Sequence, residues 1–284
     1  MTMNKVLYIN KPSGMTSFDL CFKLRKVFDT RSIGHTGTLD PNATGVMVIL
    51  LNKACKANQF LVHDTKEYIA KVVFGYETDT LDIDGQIIKE ESFVAPKNRE
   101  TYEAVFKDFL GVIEQIPPMT SAIKVKGKKL VDYQREGKEV EIPKRSVEIF
   151  KLELLDFNDE GFTFKTEVSS GTYIRTLMKD ICSRLNCLAT LVELERTKVG
   201  AIDLSECDTY EDVMNGQYHL YSLYESLAHL YEVVEVEDAQ WIMNGKHLFL
   251  DTLNDRVLVC HEQEVLAIYE RYRNNEFKSL RGLF

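Results

Sequence analysis

The stretch that decides the interpretation of this 284-residue chain is Gly34-His35-Thr36-Gly37-Thr38-Leu39-Asp40-Pro41-Asn42-Ala43-Thr44-Gly45. It places one carboxylate, that of Asp40, in a loop with three glycines and a proline, directly before the apolar run 46–51. Glycine permits positive φ and the close approach of a ligand, and Pro41 pushes Asp40 out of the helical region. The loop therefore predicts either a reactive acid anchored by a buried strand or a tight turn whose aspartate bonds its own backbone.

The composition, 44% hydrophobic and 28% charged, is that of an ordinary globular protein. The length allows one large domain and one small one. The sequence shows no signal peptide and no apolar run long enough to cross a bilayer, so we expect a cytoplasmic protein without membrane contact. The six cysteines form no Cys-x-x-Cys pair, and we expect reduced thiols and no metal site.

The charge is distributed unevenly along the chain. The net charge is −9, but residues 201–284 carry 6 Lys or Arg against 16 Asp or Glu, whereas segment 121–146 carries eight basic and four acidic residues. A local basic segment suits contact with phosphates, and a solvated charged hairpin is the alternative. The candidate phosphate contacts are the lysines Lys124, Lys126, Lys128 and Lys129.

Hydrophobic periodicity predicts a mixture of strands and helices without strict alternation, which indicates an α+β fold with a mixed sheet. The predicted strands lie at 6–9, 46–51, 67–76 and 188–197, with a hairpin of 146–157 and 161–168. The predicted helices run from a cap at Thr16 to Phe28 and over 53–63, 97–110 and 172–185. A new set of short strands begins near residue 231, so we expect a first domain over 1–230 and a small β-rich domain over 231–284.

Other residues have the chemistry of a site on an RNA-modifying protein. Tyr68 lies on the apolar face of its strand, where it is either a core residue or a platform for a nucleobase. Arg175 falls in the first turn of a helix, where the macrodipole disfavours a cation, so it needs an anion such as Asp40 or another nearby acid. His35 on the loop could wedge where a base has left, and Lys11 is a phosphate contact or a turn lysine.

Five motifs in order resemble the bacterial TruB-type tRNA pseudouridine-55 synthases. Arg196-Thr197 with Gly200 resembles a further, late motif of that family, although Glu195 stands where many relatives have an arginine. The five are Lys11-Pro12-Ser13-Gly14-Met15-Thr16-Ser17; Gly34 to Pro41 with Ala43 and Gly45; Lys66-Glu67-Tyr68-Ile69-Ala70; Pro117-Pro118-Met119-Thr120-Ser121-Ala122 with Lys124 and Gly127; and Gly171-Thr172-Tyr173-Ile174-Arg175.

The resemblance implies a pseudouridine-synthase-like mixed sheet with flanking helices and a central RNA cleft, followed by a small PUA-like domain. It implies that Asp40 is the catalytic aspartate, that Tyr68 stacks on the target base and that Arg175 pairs with Asp40. It further implies that His35 occupies the place of the flipped base. Lys11 is given a structural or supportive role.

The resemblance also implies how the RNA is held and what the reaction needs. Segment 121–146 matches an insertion that grips the RNA stem-loop like a thumb, and Arg196 is a further candidate RNA contact. The partner is the T stem-loop of tRNA, and we expect a monomer that needs no cofactor, guide RNA or protein partner. Two other interpretations are an RNA-folding factor with vestigial catalytic residues and a guide-RNA-dependent synthase of the dyskerin type. The intact Asp40, Tyr68 and Arg175 disfavour the first, and the absence of basic extensions disfavours the second.

Overall fold

The computed structural model describes residues 4–61, 65–121, 123–138 and 140–284. Ala122 of the fourth motif and Glu139 of segment 121–146 lie outside the described residues. The strands are β1 (Lys5–Lys11), β2 (Ile33–His35), β3 (Thr44–Leu51), β4 (Thr65–Phe74), β5 (Tyr76–Thr78), β6 (Ile87–Glu90), β7 (Gly111–Gln115), β8 (Lys124–Val125), β9 (Lys128–Lys129), β10 (Arg145–Phe157), β11 (Gly161–Ser169), β12 (Ala189–Val199), β13 (Ile202–Asp203), β14 (Asp208–Thr209), β15 (Tyr221–Ser222), β16 (Glu232–Glu235), β17 (Leu248–Phe249), β18 (Arg256–His261), β19 (Glu264–Arg273) and β20 (Glu276–Gly282).

The helices alternate irregularly with these strands. The α-helices are α1 (Ser17–Val27), α2 (Arg99–Lys107), α3 (Leu130–Arg135), α4 (Ile174–Arg184), α5 (Tyr210–Met214), α6 (Leu223–Leu227) and α7 (Ala239–Met243), and 3₁₀ helices span Asn52–Phe60 and Leu204–Glu206. Among the described residues, no helix has the length and apolar character that crossing a membrane requires.

The chain divides into two compact units. The first comprises Met1–Pro41, Val46–Val62 and Ser205–Phe284, and the second comprises Asn42–Gly45 and His63–Leu204. In the first unit, β1 runs parallel to β14 and antiparallel to β15, and β2 pairs with β3 so that His35 lies opposite Ile49. Helix α1 begins at a capping box in which Thr16 and Asp19 bond each other's backbones. Its buried Leu20 and Leu24 give it the apolar face that the sequence predicts.

The C-terminal part of the first unit contains a separate five-stranded sheet in the order β16-β18-β19-β20-β17. Its core consists of buried aliphatic and aromatic side chains on alternating strand positions, among them Val257, Val259, Tyr269 and Phe277. Because Tyr269 is completely buried, its hydroxyl needs a partner, and it donates to the carbonyl of Lys246 at 2.8 Å. This sheet is the β-rich module that the sequence predicts after residue 231.

The second unit is built on an antiparallel sheet in the order β12-β4-β11-β10-β7. Along β4 the residues Tyr68, Ala70, Val72 and Phe74 are all buried, which confirms the predicted alternation. Helices α2 and α4 pack on this sheet. Sequence and structure thus agree on a mixed α+β fold.

One predicted helix differs in kind. The helix predicted over 53–63 is a 3₁₀ helix, Asn52–Phe60, and the end of the predicted range lies outside the described residues. The buried residues of this segment are Ala54, Ala57 and Phe60. Their spacing of three matches the 3.0 residues per turn of a 3₁₀ helix, so this segment buries one face without becoming an α-helix.

Candidate active site

The loop that carries Asp40 is anchored on its N-terminal side by a buried serine. The hydroxyl of Ser17 accepts a hydrogen bond from the Leu39 amide at 2.9 Å and donates one to the Leu39 carbonyl at 3.0 Å. Both residues are buried, and Ser17 is the first residue of α1. The backbone directly before Asp40 is therefore fixed to the start of a helix, while Asp40 itself remains partly accessible.

Lys11 anchors the loop on the other side of Asp40. Its side chain is completely buried, and its ammonium donates to the carbonyls of Pro12, Met15 and Pro41 at 2.8, 2.8 and 3.0 Å. The Pro41 carbonyl also accepts a hydrogen bond from the Gly14 amide at 3.0 Å. This arrangement gives Lys11 the supportive role and leaves its ammonium no exposed surface for the alternative, a contact with RNA phosphate.

Gly45 shows why the stretch needs a glycine at its end. Its φ is +108°, and a Cβ atom built there would lie 2.2 Å from the carbonyl oxygen of Arg196. Thr44 and Gly45 pair in parallel with Glu195 and Arg196 of β12. Only glycine allows the two backbones to approach this closely.

Arg196 is placed differently from its predicted role. Its side chain is 2% exposed, and its position in β12 lies between Gly45 on one side and Tyr68 of β4 on the other. A phosphate contact requires an accessible guanidinium, so the predicted RNA contact of Arg196 does not agree with this burial. The motif around Arg196 is instead part of the sheet that supports the candidate site.

Tyr68 lies at the middle of the sheet, paired with Thr166 on β11 and with Arg196 on β12. It is 7% exposed and shares its face with Ala70 and Val72. The core packing that was the alternative reading is therefore present for most of the ring. Its stacking on a target base stays a prediction.

Arg175 is buried in the first turn of α4, so the surface position considered as an alternative is wrong. Its guanidinium lies 3.2 Å from the carboxylate of Asp82, and it donates to the Thr80 carbonyl at 2.9 Å and the Thr120 hydroxyl at 2.6 Å. Asp82 supplies an anion of the kind that this helix position demands. The predicted pairing of Arg175 with Asp40 stays a prediction.

Asp82 is a site residue that the sequence analysis passed over as part of a polar loop. The carboxylate of Asp82 accepts hydrogen bonds from the Thr80 hydroxyl at 2.6 Å and the Asp84 amide at 3.1 Å, and its carbonyl accepts one from the Thr78 hydroxyl at 2.7 Å. These bonds fix the carboxylate before it meets Arg175. The signal was available in the spacing Thr78-Asp79-Thr80-Leu81-Asp82, because Thr and Asp at such intervals form local side-chain turns.

Lys66, two residues before Tyr68 on β4, is a partly buried cation. Its ammonium donates to the Ser170 hydroxyl at 3.0 Å. Burial, with a smaller contribution from the nearby Arg196 charge, lowers the pKa of Lys66 to about 8. The sheet therefore holds two basic side chains close to Tyr68.

Segment 121–146 contains a short hairpin of β8 and β9 that displays lysines. Lys126 and Gly127 form its turn with φ of +51° and +84°, which is the geometry of a tight two-residue hairpin connection. Lys124 lies directly opposite Lys129, and both are exposed. Like charges opposite each other destabilise a hairpin, so this pair favours an anionic partner.

The predicted lysines of this hairpin are not equivalent. Lys128 forms an ion pair with Glu136, and its ammonium lies 5.0 Å from the centre of the Tyr133 ring. Glu136 also pairs with Lys138 at 3.0 Å. Lys124, Lys126 and Lys129 are exposed, so they are better placed than Lys128 to meet a phosphate.

His35, the last residue of β2, is partly buried. It lies five residues before Asp40, and its insertion into RNA stays a prediction. Among the described residues, no three His, Cys, Asp or Glu side chains are grouped so that they could hold a metal ion.

Comparison with known proteins identifies the class to which this fold and these motifs belong. Residues 25–174 match the model of the TruB family pseudouridylate synthase N-terminal domain. A structure of an H/ACA ribonucleoprotein bound to a substrate RNA containing 2′-deoxyuridine aligns with 99% of this chain and 85% of its own, at a TM-score of 0.73 and 20% identity. A Cbf5–Nop10–Gar1 complex aligns equally well, at 0.73 and 21%. The fold is that of the pseudouridine synthases related to Cbf5 and TruB, with a C-terminal PUA-like β domain.

Full-length relatives then narrow the class. The chain is 42% identical to tRNA pseudouridine synthase B of Geobacillus thermodenitrificans and 36% identical to that of Lactobacillus acidophilus, over 95% of this chain and 95% of each relative. The chain belongs to the TruB family of pseudouridine synthases. It is therefore an enzyme of the isomerase class, as the sequence predicts.

Proposed function

We propose that this enzyme converts uridine 55 in the T-loop of tRNAs to pseudouridine, alone and without a cofactor. The observation that carries the proposal is the anchoring of both neighbours of Asp40, in a chain that matches tRNA pseudouridine synthase B relatives along 95% of its length. The guide-RNA-dependent alternative rests on structural neighbours at about 20% identity, which share the fold. The tRNA substrate is the better supported one.

Asp40 is the group that we assign to the chemistry. The reaction breaks the N1–C1′ bond of uridine and forms a C5–C1′ bond, with no redox change and no phosphoryl transfer. A positioned carboxylate suffices, either as a nucleophile towards the sugar or base or as a base that removes a sugar proton. Because Leu39 and Pro41 are both held by buried side chains, the carboxylate needs little reorganisation to reach its reactive position.

The target uridine must leave its stack before it reacts. In our proposal His35 fills the place that the base vacates, and Tyr68 stacks on the extruded base. Arg175 orients Asp40. Its other contacts, to Asp82, Thr80 and Thr120, keep its guanidinium in one position.

The RNA is held by regions outside these residues. The exposed lysines of the β8–β9 hairpin contact the phosphates of the T stem-loop, whose shape is the main recognition feature. We assign residues 1–230 to the catalytic domain and residues 231–284 to a PUA-like domain that adds modestly to affinity, since residues 201–284 carry a charge of −10. We propose a monomer.

Incubation of the enzyme with an unmodified tRNA transcript, followed by mapping of pseudouridine, tests the proposal. We expect product at position 55, and absence of product there contradicts the substrate assignment. Asp40→Asn should bind the transcript normally and lose at least about 10³-fold in turnover. Asp251→Asn, at an exposed position, is the matched control and should turn over normally. Near-normal turnover by Asp40→Asn would remove Asp40 from the mechanism.

A further inference from the structure

A groove of about 960 Å³ lies on the first unit, where α1 and α5 pack together and the segment after α1 closes one side. Four of the nine residues that line it are cations, against a single carboxylate, that of Asp29. Its main chemical features are the cations Lys23, Arg25, Lys26 and Arg31 and the aromatic rings of Phe22 and Tyr210. None of them belongs to the Asp40 loop or to the β8–β9 hairpin.

The rings of this groove are displayed to solvent. Phe22 is 61% exposed, and Phe18, one helical turn earlier on α1, is 66% exposed. The guanidinium of Arg25 lies 5.7 Å from the centre of the Phe22 ring, and the ammonium of Lys23 lies 5.5 Å from that of Tyr210. Cations alternating with exposed rings are the usual composition of a surface that binds nucleic acid, where phosphates meet the cations and bases stack on the rings.

Arg25 adds an independent observation. Its Nε atom is buried and has no hydrogen-bond partner among the described residues. A buried guanidinium nitrogen without a partner costs free energy, which an oxygen acceptor from a ligand would recover. A phosphate oxygen is such an acceptor, and guanidinium groups bind phosphates with particular geometric specificity.

We propose that this groove binds the phosphate backbone of the tRNA substrate, at a segment outside the T stem-loop. The inference rests on the function proposed above. Charge complementarity selects the occupant, because the groove is cationic on a protein whose net charge is −9. The chain also connects the groove to the catalytic loop: Arg31 precedes His35 by four residues, and α1 packs on β2, which ends at His35.

The test compares two RNAs, a full-length unmodified tRNA transcript and the isolated T stem-loop. The variant Lys26→Glu/Arg31→Glu reverses two exposed charges of the groove. We expect its Kd for the full transcript to rise about tenfold or more, with a salt dependence that is weaker by about two phosphate contacts. Its Kd for the stem-loop and its turnover of the stem-loop should stay at the wild-type values.

The matched control is Lys107→Glu/Lys89→Glu, which makes the same change in net charge. Lys107 is an exposed cation in the last turn of α2, as Lys26 is in the last turn of α1. The control should bind both RNAs like the wild type. Phe22→Ala should weaken binding of the full transcript without changing the salt dependence, because it removes a stacking surface and no charge.

The outcomes separate the groove from the proposed function. Equal weakening for both RNAs would contradict a contact outside the stem-loop, and unchanged affinity for the full transcript would overturn an RNA site altogether. In the second case, loss of binding to a poly-glutamate peptide by the groove variant would assign the groove to an acidic protein segment. If the wild type converts neither RNA, the proposed function fails, whereas binding that depends on the groove would still be measured.

Discussion

The loop around Asp40 and the β8–β9 hairpin solve opposite problems with similar residues. Each contains a lysine and a glycine with positive φ. In the loop region the lysine is Lys11, completely buried on three carbonyls, and the glycine is Gly45, pressed against the Arg196 backbone. In the hairpin the lysines are exposed, and a Cβ atom at Gly127 would meet nothing within 4 Å.

The difference shows what each region has to do. A catalytic carboxylate must be held within a fraction of an ångström, so the protein spends buried polar groups on fixing its neighbours. A surface that follows a phosphate backbone needs accessible cations and can adapt its geometry as it binds. Substitutions in the loop should therefore change folding and turnover, whereas substitutions in the hairpin should change RNA affinity.

The largest contrast is expected between the two glycines. Gly45→Ala places a Cβ atom 2.2 Å from the Arg196 carbonyl oxygen at a φ of +108°, so the free energy of unfolding should fall by about 3–5 kcal/mol or the protein should fail to fold. Gly127→Ala has only the cost of positive φ, about 1–2 kcal/mol. Chemical denaturation of both variants measures this. Equal losses would show that the close approach at Gly45 relaxes freely.

The sequence predicted the elements better than it predicted side-chain environments. The capping box at Thr16 and the alternation along β4 are local signals, and both were readable because the period of the pattern sets the structure. The burial of Arg196 was not readable, because it follows from neighbours on two other strands. The ion pair of Arg175 with Asp82 was missed for the same reason, since the two residues are 93 positions apart.

Ser17→Ala should be the next largest effect, and it separates loop geometry from folding. The variant loses both hydrogen bonds to Leu39, which should lower the free energy of unfolding by about 1–3 kcal/mol. Because these bonds fix the residue before Asp40, kcat should fall about tenfold with KM unchanged. Ser226→Ala, which loses one buried helix hydrogen bond, is the control and should keep its kcat. A normal kcat for Ser17→Ala would contradict the anchoring role.

Lys66 tests what burial does to a cation. Its pKa of about 8 lies below the ordinary 10.5, so between these values the unfolded chain binds more protons and stability rises with pH. The contribution is present above pH 10.5 and is lost as the pH falls towards 8. Lys66→Met should therefore be more stable than the wild type at pH 7, by on the order of 1–3 kcal/mol. The difference should shrink by pH 10 in denaturation curves, and a constant difference would contradict the lowered pKa.

Lys129→Gln should have the smallest effect on stability, and with the opposite sign to the loop variants. Removing one charge from the facing pair Lys124 and Lys129 should raise the free energy of unfolding by about 0.2–1 kcal/mol. The same change removes a phosphate contact, so Kd for the T stem-loop should rise and the salt slope should fall by about one. Lys89→Gln, an exposed lysine on β6, should leave both quantities unchanged. A hairpin that gains stability while keeping its full affinity would show that the RNA lies elsewhere, because a cation in contact with phosphate cannot be neutralised without loss of binding.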